Sequence, residues 1–237
     1  MSRILFEASE KSFSVGKILC LGRNYAAHAQ EMSAAVPESP VVFLKPATAV
    51  IHGGENVVFP HISADMHHEV EMVIVIGKRA KDVRVANAYA YVEGYAVGLD
   101  MTLRDVQAEA KKKGLPWTIA KGFDTSAPIS YAVEKEKVAN PHSLTLSLKV
   151  NGERRQHSST ANMIFRIDFL VSYLSTIFTL EPGDLIFTGT PEGVGSVRSG
   201  DVLEAELEAV GTLRVGVTNQ PTFKSSYNGK NHSSCAS

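Results

Sequence analysis

The most informative pattern in the chain is an apolar run that does not alternate. Across residues 69–77 both parities are apolar from Val73 onward, which predicts a strand buried on both faces. Shorter runs predict further strands at Lys17–Gly22, Val41–Leu44, Val57–Phe59, Gly94–Leu99 and Leu185–Thr188. Leu144–Val150 alternates and stops at Asn151-Gly152, the strongest short hairpin signal. Val202–Leu207 and Leu213–Val217 complete the strand set. Helical spacing is confined to Leu103–Lys113 and Phe165–Thr179, with a helix-compatible stretch at Asn24–Met32 ended by Pro37 and Pro40. Asn24 is the expected N-cap of that stretch. Thr102 followed by Asp105 reads as a capping box in its carboxylate form, and Gly114 with Pro116 supplies the stop. Lys111, Lys112 and Lys113 then lie where the helix dipole favours cations, which is sufficient reason for the triplet. The pattern predicts an α+β, β-dominated fold with a few short helices. Residues 1–16 form a leader expected to add an edge strand, residues 17–218 read as one domain, and residues 219–237 as a polar disordered tail.

Composition narrows the functional classes. With 237 residues, 44% hydrophobic and 21% charged, the chain suits one ordinary globular domain. Twenty-four basic residues against 25 acidic ones create no global field for nucleic acid or an anionic membrane. No apolar stretch approaches the roughly 20 residues that span a bilayer. The amino terminus meets Glu7 too early for a secretory core, so a cytoplasmic location is expected, or the mitochondrial matrix in a eukaryote. Two cysteines, Cys20 and Cys235, make no disulfide framework. The sequence marks of serine hydrolases, P-loop enzymes and zinc proteases are absent.

The chemistry lies at the strand ends. Glu69 and Glu71 are two apart on a strand, so they share a face that becomes apolar at Val73 and Val75. Paired buried carboxylates need a cation or a proton, although a strand emerging into solvent would also place them there. Asp100 also ends an apolar strand, where it serves either helix entry or the same cation. Three carboxylates without cysteine form a hard oxygen site that suits Mg²⁺ or Mn²⁺. His28 and Glu31 are three apart on the short helix and can meet, as a base with its orienting carboxylate or as a solvated surface pair. Arg104 and Gln107 share one helix face. Lys121 sits in an apolar neighbourhood and needs a partner. The glycine-rich run Thr188–Gly195 offers N–H groups to an anion or is a plain turn.

Taken together, GRNYAAHAQEM (22–32), FLKP (43–46), HHEVE (67–71), LDMTLRDVQ (99–107), KKKGLPW (111–117), AKGFD (120–124), VNGERRQ (150–156) and LEPGDLIFTGTPEGVG (180–195) give the chain a family likeness. It resembles the fumarylacetoacetate hydrolase superfamily, in particular its short acylpyruvase/oxaloacetate decarboxylase branch. The resemblance implies a mixed β-sandwich roll, usually a homodimer. It implies Mg²⁺ or Mn²⁺ on Glu69, Glu71 and Asp100. It implies that His28 and Glu31 activate water from a lid segment, with Lys121 stabilising an oxyanion, and that Arg23, Arg104, Gln107 and Thr190 bind a small oxo-acid. The expected reaction is cleavage of an acylpyruvate, with oxaloacetate decarboxylation as a companion. Fumarylpyruvate or maleylpyruvate hydrolysis and oxo-acid tautomerisation are the alternatives, and a non-catalytic binding protein is the remaining one.

Overall fold

A computed structural model describes residues 2–221, so most of the expected polar tail, with Cys235, lies outside the described residues. The central sheet is mixed. Its strands run in the order Val41–Lys45, Ile18–Gly22, Leu185–Phe187, Val70–Ile76, Val92–Leu99, Ala127–Ile129 and Val50–His52, with Val133–Glu134 paired to Val92–Leu99. A second sheet carries Glu153–Ser159, Thr145–Val150, Val202–Leu207, Gly211–Asn219 and Asn56–Phe59. A small third sheet joins Thr102–Leu103, Met66–His68 and Gly195–Val197. The helices are α1 (Ala26–Glu31), α2 (Arg104–Lys113), α3 (Thr118–Lys121) and α4 (Ile167–Ile177).

The non-alternating run behaves as its pattern demands. Every residue of Val70–Ile76 is buried, and the two parities enter different cores. Met72, Ile74 and Ile76 pack toward the second sheet and α4, in a cluster with Leu146, Leu203 and Leu170. Val73 and Val75 pack on the other side with Ile18, Cys20, Leu185 and Phe187. Each such side chain contributes about 1.5–3 kcal/mol on burial, so this strand is fixed in register before any polar contact is counted. Glu71 shares the parity of Val73. It pairs across the sheet with Gly98, where an added Cβ would lie 2.8 Å from both Phe187 and Val73. The missing side chain lets the sheet close beneath a carboxylate.

The Asn151-Gly152 hairpin forms with both residues at positive φ, 52° and 81°, as its turn requires. Gly114 ends α2 in the left-handed conformation. Three local expectations are corrected. The leader makes its own two-stranded hairpin, Arg3–Leu5 with Ser12–Ser14, instead of a single edge strand on the main sheet. It is pinned to the domain by Lys11, which bonds both Glu93 and Glu134 at 2.7 Å. The Thr102–Asp105 capping box is absent: α2 is preceded by Leu103 without a side-chain cap, while Thr102 donates to the Asp100 carbonyl and Asp105 accepts from Ser63 and Ala64. Asn24 does not cap α1 either, because its side chain is spent on Phe165 and Thr188.

Candidate metal centre and oxo-acid site

Glu69, Glu71 and Asp100 converge at the ends of two paired strands. Each offers a carboxylate oxygen, these oxygens lie within 4.8 Å of one another, and all three residues are buried. The backbone fixes the geometry, since the Asp100 N–H donates to the Glu69 carbonyl at 2.8 Å. Glu71 is held from the far side by the Gly189 N–H at 2.7 Å. Asp100 therefore belongs to the carboxylate cluster rather than to helix entry.

Three cations balance the three carboxylates. Arg104 reaches Glu69 at 2.5 Å. Lys121 donates to Glu69 at 2.8 Å, Asp100 at 2.6 Å and Thr102 at 2.6 Å, which supplies the partners its apolar setting called for. Lys45 lies 2.8 Å from Asp100 Oδ1. Its hydrogen bonds run instead to the carbonyls of Met101, Lys121 and Ser126. Asp100 Oδ1 is thus a buried acceptor beside a positive charge with no hydrogen directed at it.

The carboxyl groups titrate in opposite directions. Burial pushes Glu69 up, but the charges of Lys121, Arg104 and His28 outweigh it and hold the group well below the ordinary carboxylate range. Burial pushes Glu71 well above that range, and Asp100 and Glu69 add to the shift. Burial lowers the Lys121 ammonium, but Asp100 and Glu69 reverse this and the net shift is upward. An all-oxygen, buried, convergent donor set in which Asp100 Oδ1 receives no hydrogen bond fits a hard divalent cation such as Mg²⁺ or Mn²⁺.

A cavity of about 340 Å³ opens at the Glu69 side of this cluster; Glu71 and Asp100 lie behind its lining. Arg23, His28, Glu69, Arg104, Gln107, Lys121 and Thr190 all line it, so residues nominated from five distant sequence segments face one space. Gln107 is buried and accepts from Arg104 at 2.9 Å. Thr190 donates to the Val70 carbonyl at 2.8 Å and accepts from Gln156. A larger groove of about 780 Å³ runs along Val41–Ala47 and Leu115–Thr118, but its walls are mostly apolar and the carboxylates do not reach it.

His28 and Glu31 meet, with Nδ1 3.2 Å from Oε2 and the imidazole buried. Engagement of Nδ1 leaves Nε2 as the nitrogen able to take a proton. The other Glu31 oxygen accepts from the Gly193 N–H at 3.0 Å. The N–H groups of the glycine-rich turn thus serve two of the protein's own carboxylates, Glu71 and Glu31.

Three contributors escaped the sequence reading. Lys45 carried a legible signal, a cation ending an apolar strand, and it appeared there only as part of a motif. Gln156 accepts from the Val70 N–H and pairs with His68 while donating to Thr190 and the Pro191 carbonyl, so it locks the turn to the carboxylate strand. A single buried glutamine on an exposed hairpin gives no sequence signal. Asn24 holds the start of α1 through Phe165 and Thr188, a tertiary role that local helix rules cannot show.

Comparison with known proteins gives this arrangement a lineage. Residues 17–218 match the fumarylacetoacetate (FAA) hydrolase C-terminal family model. The bovine protein named oxaloacetate tautomerase FAHD1, mitochondrial, is 52% identical over 200 residues, covering 84% of this chain and 90% of its own. Its human counterpart is 53% identical over 193 residues, covering 81% and 87%. Among solved structures, a fumarylpyruvate hydrolase from Pseudomonas aeruginosa in complex with Mn²⁺ and pyruvate superposes with a TM-score of 0.88 at 42% identity, covering 92% of this chain and 96% of that one. A 5-carboxymethyl-2-hydroxymuconate delta-isomerase from Mycobacterium smegmatis gives a TM-score of 0.79 at 38% identity, covering 90% and 87%. With sheets, carboxylate cluster and family match in agreement, the chain belongs to the fumarylacetoacetate hydrolase family and is an enzyme of that superfamily.

Proposed function

We propose that this enzyme interconverts the keto and enol forms of oxaloacetate at the cavity in front of Glu69, Glu71 and Asp100. The observation that carries this reading is His28, a buried base oriented by Glu31, lining the same cavity as Arg104 and Lys121. The identity with FAHD1 proteins named as oxaloacetate tautomerases supports the choice of substrate. Glu69, Glu71 and Asp100 would hold the divalent ion, which supplies Lewis acidity to a chelated 2-oxo acid.

The protein's own groups do the rest. Arg104 and Gln107 orient the substrate carboxylate. His28 Nε2 takes a proton from C3, Glu31 stabilises the imidazolium that forms, and the Lys121 ammonium faces the charge developing on the 2-oxo oxygen. Protonation of that oxygen gives the enol, and return of the proton to C3 regenerates the ketone. Every proton lost from carbon is recovered on oxygen.

A second reading is acylpyruvate cleavage, favoured by the same pair acting on water and by structural likeness to a fumarylpyruvate hydrolase. The two readings separate in D₂O. Tautomerisation is expected to exchange the C3 hydrogens of oxaloacetate for deuterium, and His28→Asn is expected to slow that exchange by about 10²–10⁴-fold. Cleavage of acetylpyruvate at a rate above that exchange would put hydrolysis first. Undiminished exchange in His28→Asn would remove the pair from the mechanism.

A further inference from the structure

The inner end of the cavity is electrically settled. Glu69 answers Arg104 and Lys121, and Asp100 answers Lys121 and Lys45. The outer end is not. Arg23 and Lys111 also line the cavity, and among the described residues neither has a carboxylate partner. The Arg23 guanidinium makes one long contact, Nη1 to the Ala35 carbonyl at 3.5 Å, which leaves most of its five donors unused. Its backbone sits at φ 60°, an unfavourable conformation for a residue with a side chain.

Lys111 lies seven residues after Arg104 on α2. That spacing returns to the same helix face about 10 Å further along the axis. Arg104, Gln107 and Lys111 thus form a polar ladder leading outward from Glu69. At its far end the Lys111 ammonium stands 5.1 Å from the centre of the Trp117 ring. Partial burial lowers the pKa of Lys111, and the charges of Arg104, Lys121 and Arg23 add to the effect, so it already sits in an excess of positive charge. Between the ends the wall is apolar, with Met32, Ala34, Phe43 and Trp117.

We infer that Arg23 and Lys111 form a subsite for a second carboxylate, so that the enzyme selects 2-oxo acids carrying an anionic group at the end remote from the 2-oxo carboxylate. The inference rests on the oxo-acid reading above and adds residues that sort substrates within it. A fork of guanidinium donors and a nearby ammonium would answer a carboxylate, while the apolar wall accommodates the intervening carbons. A neutral acyl tail would leave both cations unanswered.

The test uses binding rather than turnover. Titration calorimetry with saturating Mn²⁺ compares pyruvate, which lacks the distal group, with 3,3-difluorooxaloacetate, which keeps it and has no C3 hydrogen to lose. The wild type is expected to bind the difluoro compound at least 10-fold more tightly. Arg23→Gln and Lys111→Met are each expected to reduce that ratio about 10-fold, toward unity, chiefly by weakening the dicarboxylate. A wild type that binds both ligands alike would overturn the subsite, as would two variants that retain the full ratio. Lys111→Met changes a side chain in the last turn of α2 that makes no ion pair among the described residues, so its result stands even if Arg23→Gln disturbs the chain leading into α1. If the ratio behaves as expected while no oxo-acid is turned over, the subsite stands and the reaction assigned above falls.

Discussion

Lys45→Met is the most revealing single change, because the ammonium holds the carboxylate cluster together without facing the cavity. It removes the ion pair at 2.8 Å from Asp100 Oδ1 and three bonds to carbonyls. The carbonyls do not suffer equally. That of Lys121 keeps a donor in the Ser126 hydroxyl, and that of Ser126 keeps the Met101 N–H. Only the Met101 carbonyl is orphaned, at about 1–3 kcal/mol. Asp100 keeps Lys121 at 2.6 Å, so losing one of its two cations adds about half of the 3–5 kcal/mol that a wholly unpaired buried charge would cost. Methionine fills similar volume, so little cavity cost is added. The sum, about 3–5 kcal/mol, is a large part of the 5–15 kcal/mol that usually holds a domain together. Urea unfolding in chelator at pH 7 reads the loss, and the cycle with Asp100→Asn assigns it. The double variant, with neither charge, is expected to regain at least about 1 kcal/mol over Lys45→Met alone. A loss below about 1 kcal/mol, or additive effects in the cycle, would refute the role given to Lys45.

Three further outcomes follow from the same geometry. His68 is buried against Gln156, and burial lowers its pKa to about 4 from an ordinary value near 6.5. The unfolded chain therefore binds an extra proton between those limits, and stability falls by about 2 kcal/mol from pH 7 to pH 5, a slope that His68→Gln should remove in urea titrations at those two pH values. Glu71→Ala is expected to abolish Mn²⁺ retention on gel filtration while leaving the circular dichroism of a folded protein; an ion retained at full stoichiometry contradicts the ligand assignment. Gly98→Ala places a Cβ 2.8 Å from Phe187 and Val73, so a loss of about 1–3 kcal/mol is expected, and an unchanged melting temperature would show that the strands can part there freely.

What the sequence displays and what it hides divide along a physical line. Strands whose two parities feed different cores are written in composition alone, which is why Val70–Ile76 and Leu185–Phe187 stand where their apolar runs placed them. The Asn-Gly hairpin is equally local. The carboxylates were visible because charge at the end of an apolar run has no bland explanation that also satisfies burial. Capping failed at both helices, because Thr102 and Asn24 bond residues distant in sequence or outside the helix and so were not available as caps. Gln156 acts largely through the Val70 N–H and the Pro191 carbonyl, contacts that no residue pattern records.

The short helix α1 has a consequence for measurement. It has six residues and no side-chain cap, far below the roughly 12–15 at which a helix in water is even marginal. His28 and Glu31 keep their spacing only while Asn24 grips Phe165 and Thr188 and Glu31 grips Gly193. The pair is therefore assembled by docking, and every affinity measured for a ligand that needs it is diluted by the fraction of molecules in which the segment is docked. Substitutions at Asn24 will register as weaker binding by an untouched cavity, and a screen that looks only at residues near the substrate will attribute their effect to the wrong place.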